Sequence, residues 1–251
     1  MTLERQRLRS GPVEFFLQGK NLIADQFWLF MGMTVLGSFI GSAVPLYPLL
    51  GAVAYGVYLA YRTKERGGEV RFDLLFRGFD KLGETLTPSL AYGGGLFLAI
   101  FVVLVPLVLV GAAMAESEAD AVAPIVAVAA YPIMGLLSVL LWMPFTFAFQ
   151  LILDRELSGM AAVGESWRAV RENFLKVFAV NFLTVFLYVL GIAACCVGWA
   201  FALPIIGGAH WLMYREIYPD LGLGKDAERW ARESVIEPQG PPKLDWSSES
   251  E

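Results

Sequence analysis

Four stretches of this chain contain no Asp, Glu, Lys or Arg. They are residues 26–61, 85–115, 121–153 and 177–214, with lengths of 36, 31, 33 and 38. A helix rises about 1.5 Å per residue, so roughly 20 apolar residues cross a hydrocarbon core of about 30 Å. Every stretch exceeds that length. Only 17% of residues are charged and mean hydropathy is +0.57, whereas a soluble domain carries about 25% charged residues. The sequence therefore predicts an all-α, polytopic membrane helix bundle and argues against a water-soluble enzyme.

The first and last stretches are long enough for two helices each. Gly41 to Pro48 holds two prolines within four residues, which breaks a helix. Gly191 to Gly198 brackets the adjacent Cys195 and Cys196 and marks a weaker break. The expected spans are about 26–43, 46–62, 87–114, 122–153, 175–195 and 198–215, making six transmembrane helices. Charge tests this count. With both termini inside, segments 1–25, 62–84, 154–176 and 215–251 hold 4, 6, 4 and 5 Lys+Arg, which is all 19 in the chain. The outer loop near 116–120 carries only Glu116, Glu118 and Asp120. Short cytoplasmic loops concentrate basic residues, so six crossings with cytoplasmic termini are expected. No cleavable signal peptide is read near Arg5, Arg7 and Arg9, and a bacterial inner membrane is the expected location.

The two large inner loops have helical periodicity. Phe72, Leu75, Phe79, Leu82 and Leu86 recur at steps of 3 and 4, as do Met160, Val163, Trp167, Val170 and Phe174. Each set predicts an amphipathic helix, over about 71–85 and 158–174, lying at the membrane boundary. An offset of 88 residues places Phe79 on Trp167, Leu82 on Val170, Glu84 on Glu172 and Gly78 on Ser166. The same offset overlays the second and third spans on the fourth and fifth, which suggests a parallel internal duplication. Pro12–Ile23 reads as an N-terminal interfacial helix with Val13, Phe16 and Ile23 apolar and Lys20 snorkelling. Residues 219–251 form a polar tail that becomes compositionally disordered from about 237.

Residues 151–174 (LILDRELSGMAAVGESWRAVRENF) lead into an apolar hairpin ending in Tyr214-Arg215-Glu216-Ile217, and Phe72 to Phe79 reads FDLLFRGF. These segments resemble uncharacterised bacterial six-transmembrane-helix proteins related to the membrane domain of glycerophosphoryl diester phosphodiesterases. The resemblance covers roughly residues 20–218. It implies a six-helix membrane fold and no reaction, and no soluble stretch is long enough to hold the phosphodiesterase catalytic part.

Chemistry-bearing residues are sparse inside the predicted spans. His210 is the only histidine, and no carboxylate is expected beside it to complete a nucleophilic or metal site. Gln150 and Asn181 are the other strong polar groups, of the kind that hydrogen-bond between membrane helices. A non-enzymatic protein without cofactor or metal is expected. It would be a scaffold or accessory subunit acting through Phe72, Phe79, Leu82, Trp167, Val170 and Phe174. The competing expectation is a lipid-handling or small-solute transport protein, with a cavity near Gln150, Asn181 or His210. Membrane lipids are the expected partners, with a membrane or cytoplasmic protein at the amphipathic helices. Nucleic acid is not expected, because Arg62, Lys64, Arg66 and Arg71 alternate with Glu65, Glu69 and Asp73. The Gly37 and Gly41 spacing permits close helix contact.

Overall fold

The computed structural model describes residues 5–115, 134–193 and 198–219. Among them every regular element is helical. In order these are α1 (Pro12–Ile23), a short 3-10 helix (Ala24–Gln26), α2 (Phe27–Ser42), α3 (Leu50–Glu65), a longer 3-10 helix (Phe72–Lys81) and α4 (Leu82–Ala115). They are followed by α5 (residues 134–142), α6 (Ala148–Arg155), α7 (Gly159–Glu172), α8 (Phe174–Ala193) and α9 (Gly198–Ile217). Residues 122–133, Cys195, Cys196 and the expected tail from Asp220 lie outside the described residues.

Among the described residues, four helical segments are long and apolar enough to cross a membrane: Pro12–Ser42, Phe72–Val103, Met134–Arg155 and Phe174–Ala193. Helices α3 and α9 are not among them. Leu46 and Tyr47 adopt positive φ in the turn after α2, so α3 starts at Leu50, not at 46. Its 16 residues end in Arg62, Lys64 and Glu65. Helix α9 includes Gly207, Gly208, His210, Arg215 and Glu216. Both helices face other helices, so small and polar side chains replace the bulky apolar ones that an exposed face needs. By contrast, Phe97, Leu98, Phe101, Val102, Phe182, Phe186 and Val189 are exposed on α4 and α8, the reverse of a water-soluble bundle.

Helix α9 is the central element. It packs against α1, α8, α2 and α3 and buries Ile206, His210, Trp211, Met213, Tyr214 and Arg215 along its length. Helix α8 runs back beside it, with Gly191 against Trp199 and Asn181 reaching His210. Helix α1 is more than an interfacial segment. It lies along α9 with Phe15, Phe16, Gly19 and Ile23 buried, and Val13 is the exposed member of the expected stripe. Gly37 and Gly41 face Val53 and Leu50 of α3, so their small-residue spacing serves a contact within the chain.

The expected amphipathic α-helix over 71–85 is instead a 3-10 helix running without a break into α4. Its tighter turn brings Leu75 and Gly78 onto one face; both are buried, as is Leu74, while Phe76 and Phe72 at the start of the helix are exposed. A Cβ at Gly78 would collide with the Ala52 carbonyl oxygen of α3, so glycine permits this packing. The expected span 122–153 is interrupted in its described part. Pro144 lies in a 3-10 turn, Met143–Phe145, between α5 and α6, because proline removes a backbone donor and clashes with the preceding turn.

Candidate functional site

Three polar or exposed features stand out from this frame. The first is a buried thread of side chains across α8 and α9. His210 Nδ1 lies 2.9 Å from the Ile206 carbonyl oxygen, and Nε2 lies 3.3 Å from Asn181 Oδ1. Asn181 Nδ2 donates to the Val177 carbonyl at 2.9 Å and to Thr146 Oγ1 at 3.4 Å. Asn181 and His210 are both buried. Gln150, also fully buried, faces α3 beside the Tyr58 hydroxyl, and neither of its amide atoms completes a hydrogen bond of good geometry. Asn181 and His210 are therefore brought together, and Gln150 is held apart from them. An amide neither takes nor gives a proton readily, so the pair serves as a hydrogen-bonded joint between helices.

Asn181 also lines a cavity of about 180 Å³ between α4, α5 and α8. Tyr92, Ser138, Trp142 and Thr184 share the lining. Thr184 Oγ1 is buried without a hydrogen-bond partner.

The second feature is a charged cluster at the ends of α3, α6 and α9. Arg215 donates from Nη1 to Asp154 Oδ2 at 2.7 Å and from Nε to Glu65 Oε2 at 2.8 Å. Arg62 Nε lies 3.3 Å from Asp154 Oδ1, and the Arg62 guanidinium also donates to the Leu153 carbonyl. Trp211 Nε1 donates to Glu65, the Tyr214 hydroxyl to Asp154, and the Arg215 guanidinium stacks 4.7 Å from the Trp211 ring centroid. Sequence reasoning missed this cluster because it counted Arg62 and Arg215 only as basic residues that set the topology and gave Asp154 no role. A signal was present. Arg62, Asp154 and Arg215 are each the first ionisable residue after an uncharged stretch, which puts all three at one level of the bundle.

Beside this cluster, residues 5–10 are strapped onto α7, α8 and α9. Arg5 pairs with Glu165 and Glu172 at 2.7 Å each. Lys176 donates to the Leu8 and Arg9 carbonyls, and Asn173 accepts from the Leu8 N–H. Glu216 accepts from the backbone N–H groups of Arg9 and Ser10. Burial alone would raise the Glu216 pKa, but these donors hold it below the usual glutamate value.

The third feature is α7. Its residues Gly159, Ala162, Ser166 and Ala169, followed by Asn173, recur at steps of 3 and 4, and all are buried. The apolar stripe Met160, Val163, Trp167, Val170 and Phe174 runs one residue behind. Small residues allow the closer approach, so the bundle takes that face. Ser166 Oγ accepts from the Phe147 N–H just after the Pro144 break. Met160, Trp167 and Phe174 stay exposed, at 57%, 37% and 41%. Arg171 lies 5.8 Å from the Trp167 ring centroid. Phe174, Phe178 and Phe182 stack in turn along α8, continuing the apolar face.

The six surface candidates thus divide. Phe72, Trp167 and Phe174 are exposed, Val170 is buried, Phe79 packs against the core and Leu82 is half-buried. Among the described residues no three of His, Cys, Asp and Glu cluster as metal ligands do. Compared with protein families, curated proteins and solved structures, the chain matches none of them.

Proposed function

We propose that this chain is a non-enzymatic integral protein of a bacterial inner membrane. In this reading it crosses six times with both termini cytoplasmic, and α3 and α9 are short inner crossings shielded by their neighbours. Its role is that of a scaffold or accessory subunit, and the face it offers is the exposed stripe of α7 and the start of α8. The observation that carries the reading is the division of labour on α7. A small-residue face anchors the helix, which leaves Met160, Trp167 and Phe174 free for another surface. Kinship with the six-helix membrane domains related to glycerophosphoryl diester phosphodiesterases is part of this proposal.

The duplication belongs to the same reading and draws support from burial. At the offset of 88, Leu74 and Ala162, Gly78 and Ser166, Thr85 and Asn173, Ser89 and Val177, and Gly93 and Asn181 are buried in both copies. Thr85 Oγ1 donates to the Lys81 carbonyl as Asn173 Nδ2 donates to the Ala169 carbonyl, four residues back in each case.

The test is affinity capture from native membranes with the wild type and Trp167→Asp. A stoichiometric protein partner that the variant loses supports the scaffold. An identical set of captured proteins from both overturns it. A second reading, a passage for a lipid or small solute, is favoured by the cavity at Asn181 and Thr184. It requires the cavity to be hydrated. In a variant with Cys195 and Cys196 replaced by Ser, Ser138→Cys should then react with a small water-soluble maleimide, and no reaction removes this reading.

A further inference from the structure

A groove of about 280 Å³ runs where α1 meets α8 and α9. Phe16 and Leu17 of α1, Leu187 of α8, and Phe201, Ala202 and Ile205 of α9 line it, with Lys20 as the one ionisable group. Its shape follows from a close helix crossing. A Cβ at Gly19 would stand 2.7 Å from the Ala209 backbone nitrogen, and Gly208 meets the Gly19 backbone from the other side. Two glycines thus seat α1 on α9 and leave a trough beside the contact. There Ala202 supplies a shallow side chain between bulkier walls. The Phe201 ring is held by Phe27, stacked at 6.0 Å, and by Trp28, edge-on at 5.9 Å. The trough is therefore fixed before anything enters it.

We propose that this groove binds an anionic phospholipid, with an acyl chain along its apolar walls and the Lys20 ammonium on the headgroup. Charge complementarity selects this occupant over a neutral lipid or another apolar helix. Arg5, Arg168, Lys64 and Arg215 all form ion pairs within the chain. Lys20 forms none among the described residues, and its exposed side chain rises from the apolar wall one turn beyond Phe16 and Leu17. A lone ammonium over an apolar trough matches a ligand that has one negative head on a hydrocarbon tail. The assignment is independent of whether α7 recruits a protein.

The experiment is native mass spectrometry of the full chain released from detergent micelles. The micelles carry equal amounts of phosphatidylglycerol and phosphatidylcholine with identical chains. One basic residue near an anionic headgroup predicts roughly fivefold more phosphatidylglycerol adduct. Lys20→Gln should bring the ratio close to one, and Ala202→Trp, which fills the trough, should remove both adducts. Equal retention of the two lipids by the wild type overturns the proposal. So does an unchanged preference in Lys20→Gln, an exposed-site variant that leaves the helix contacts in place. A dimer that Ala202→Trp dissociates would overturn it too, by assigning the groove to a second copy of the chain.

Discussion

Asp154 on α6 and Arg215 on α9 meet at 2.7 Å with only 5% and 8% of their side-chain surfaces exposed. They are 61 residues apart in the chain. A buried ion pair repays its desolvation only when further hydrogen bonds complete it. Here Tyr214 and Glu65 supply them, and the Arg62 guanidinium adds a second ion pair to Asp154 at 3.3 Å. The cluster ties α3, α6 and α9 together at one end.

Removing one partner strands the other charge. Asp154→Ala should destabilise the protein by about 3–5 kcal/mol, read as a loss of thermal stability in detergent. The double variant Asp154→Leu with Arg215→Met removes both buried charges and leaves Glu65 hydrogen-bonded to Trp211. It should recover part of that loss, because Arg62 still lacks its Asp154 partner. A double variant no more stable than Asp154→Ala would mean that the pair does more than compensate its own burial.

The two faces of α7 should respond oppositely to a charge. Trp167→Asp alters an exposed position and should shift stability by no more than about 0.5 kcal/mol. Val170→Asp places a carboxylate in the core and should cost at least ~3 kcal/mol. Phe79→Asp should resemble Val170→Asp in direction, because Phe79 packs against the core. Unfolding monitored by tryptophan fluorescence in detergent separates the three, and equal losses would refute the division of faces.

Acid should release the N-terminal strap. Folding lowers the Glu216 pKa, so its contribution is present above the unfolded glutamate value of about 4.3 and is lost as pH falls through the lower, folded value. Amide hydrogen exchange at Arg9 and Ser10 should therefore accelerate, relative to the intrinsic rate, only below the ordinary glutamate range. In Glu216→Gln the protection should be weaker and this acid step absent. A step of unchanged size in that variant would assign the titration to another group.

Six crossings make a labelling prediction. In the background with Cys195 and Cys196 replaced by Ser, Val44→Cys should react with an impermeant maleimide from the outer face of intact membranes. Gly67→Cys should react only after permeabilisation. Labelling of both from the same side would mean that α3 does not cross, leaving the four-span count.

The uncharged stretches were enough to specify an all-helical chain with several apolar helices, because removing unpaired backbone polar groups from water leaves only helices or closed barrels. The 3–4 periodicity marked α7, and the doubled proline near residue 45 marked the α2–α3 reversal. Which face of α7 is buried was decided only by packing. Periodicity reports that apolar residues share a face, and the small stripe beside it allows a closer approach to α4 and to the start of α6. The spacing of Phe72 to Leu86 likewise concealed a 3-10 turn, since Gly78 lets the backbone approach Ala52 in a way no hydrophobic pattern records. Gathering Arg62, Glu65, Asp154 and Arg215 into one cluster depended on helix ends distant in sequence. The residues alone determined where charge stops along each helix, and the tertiary structure determined which charges then face each other, because pairing depends on how helices dock against α9.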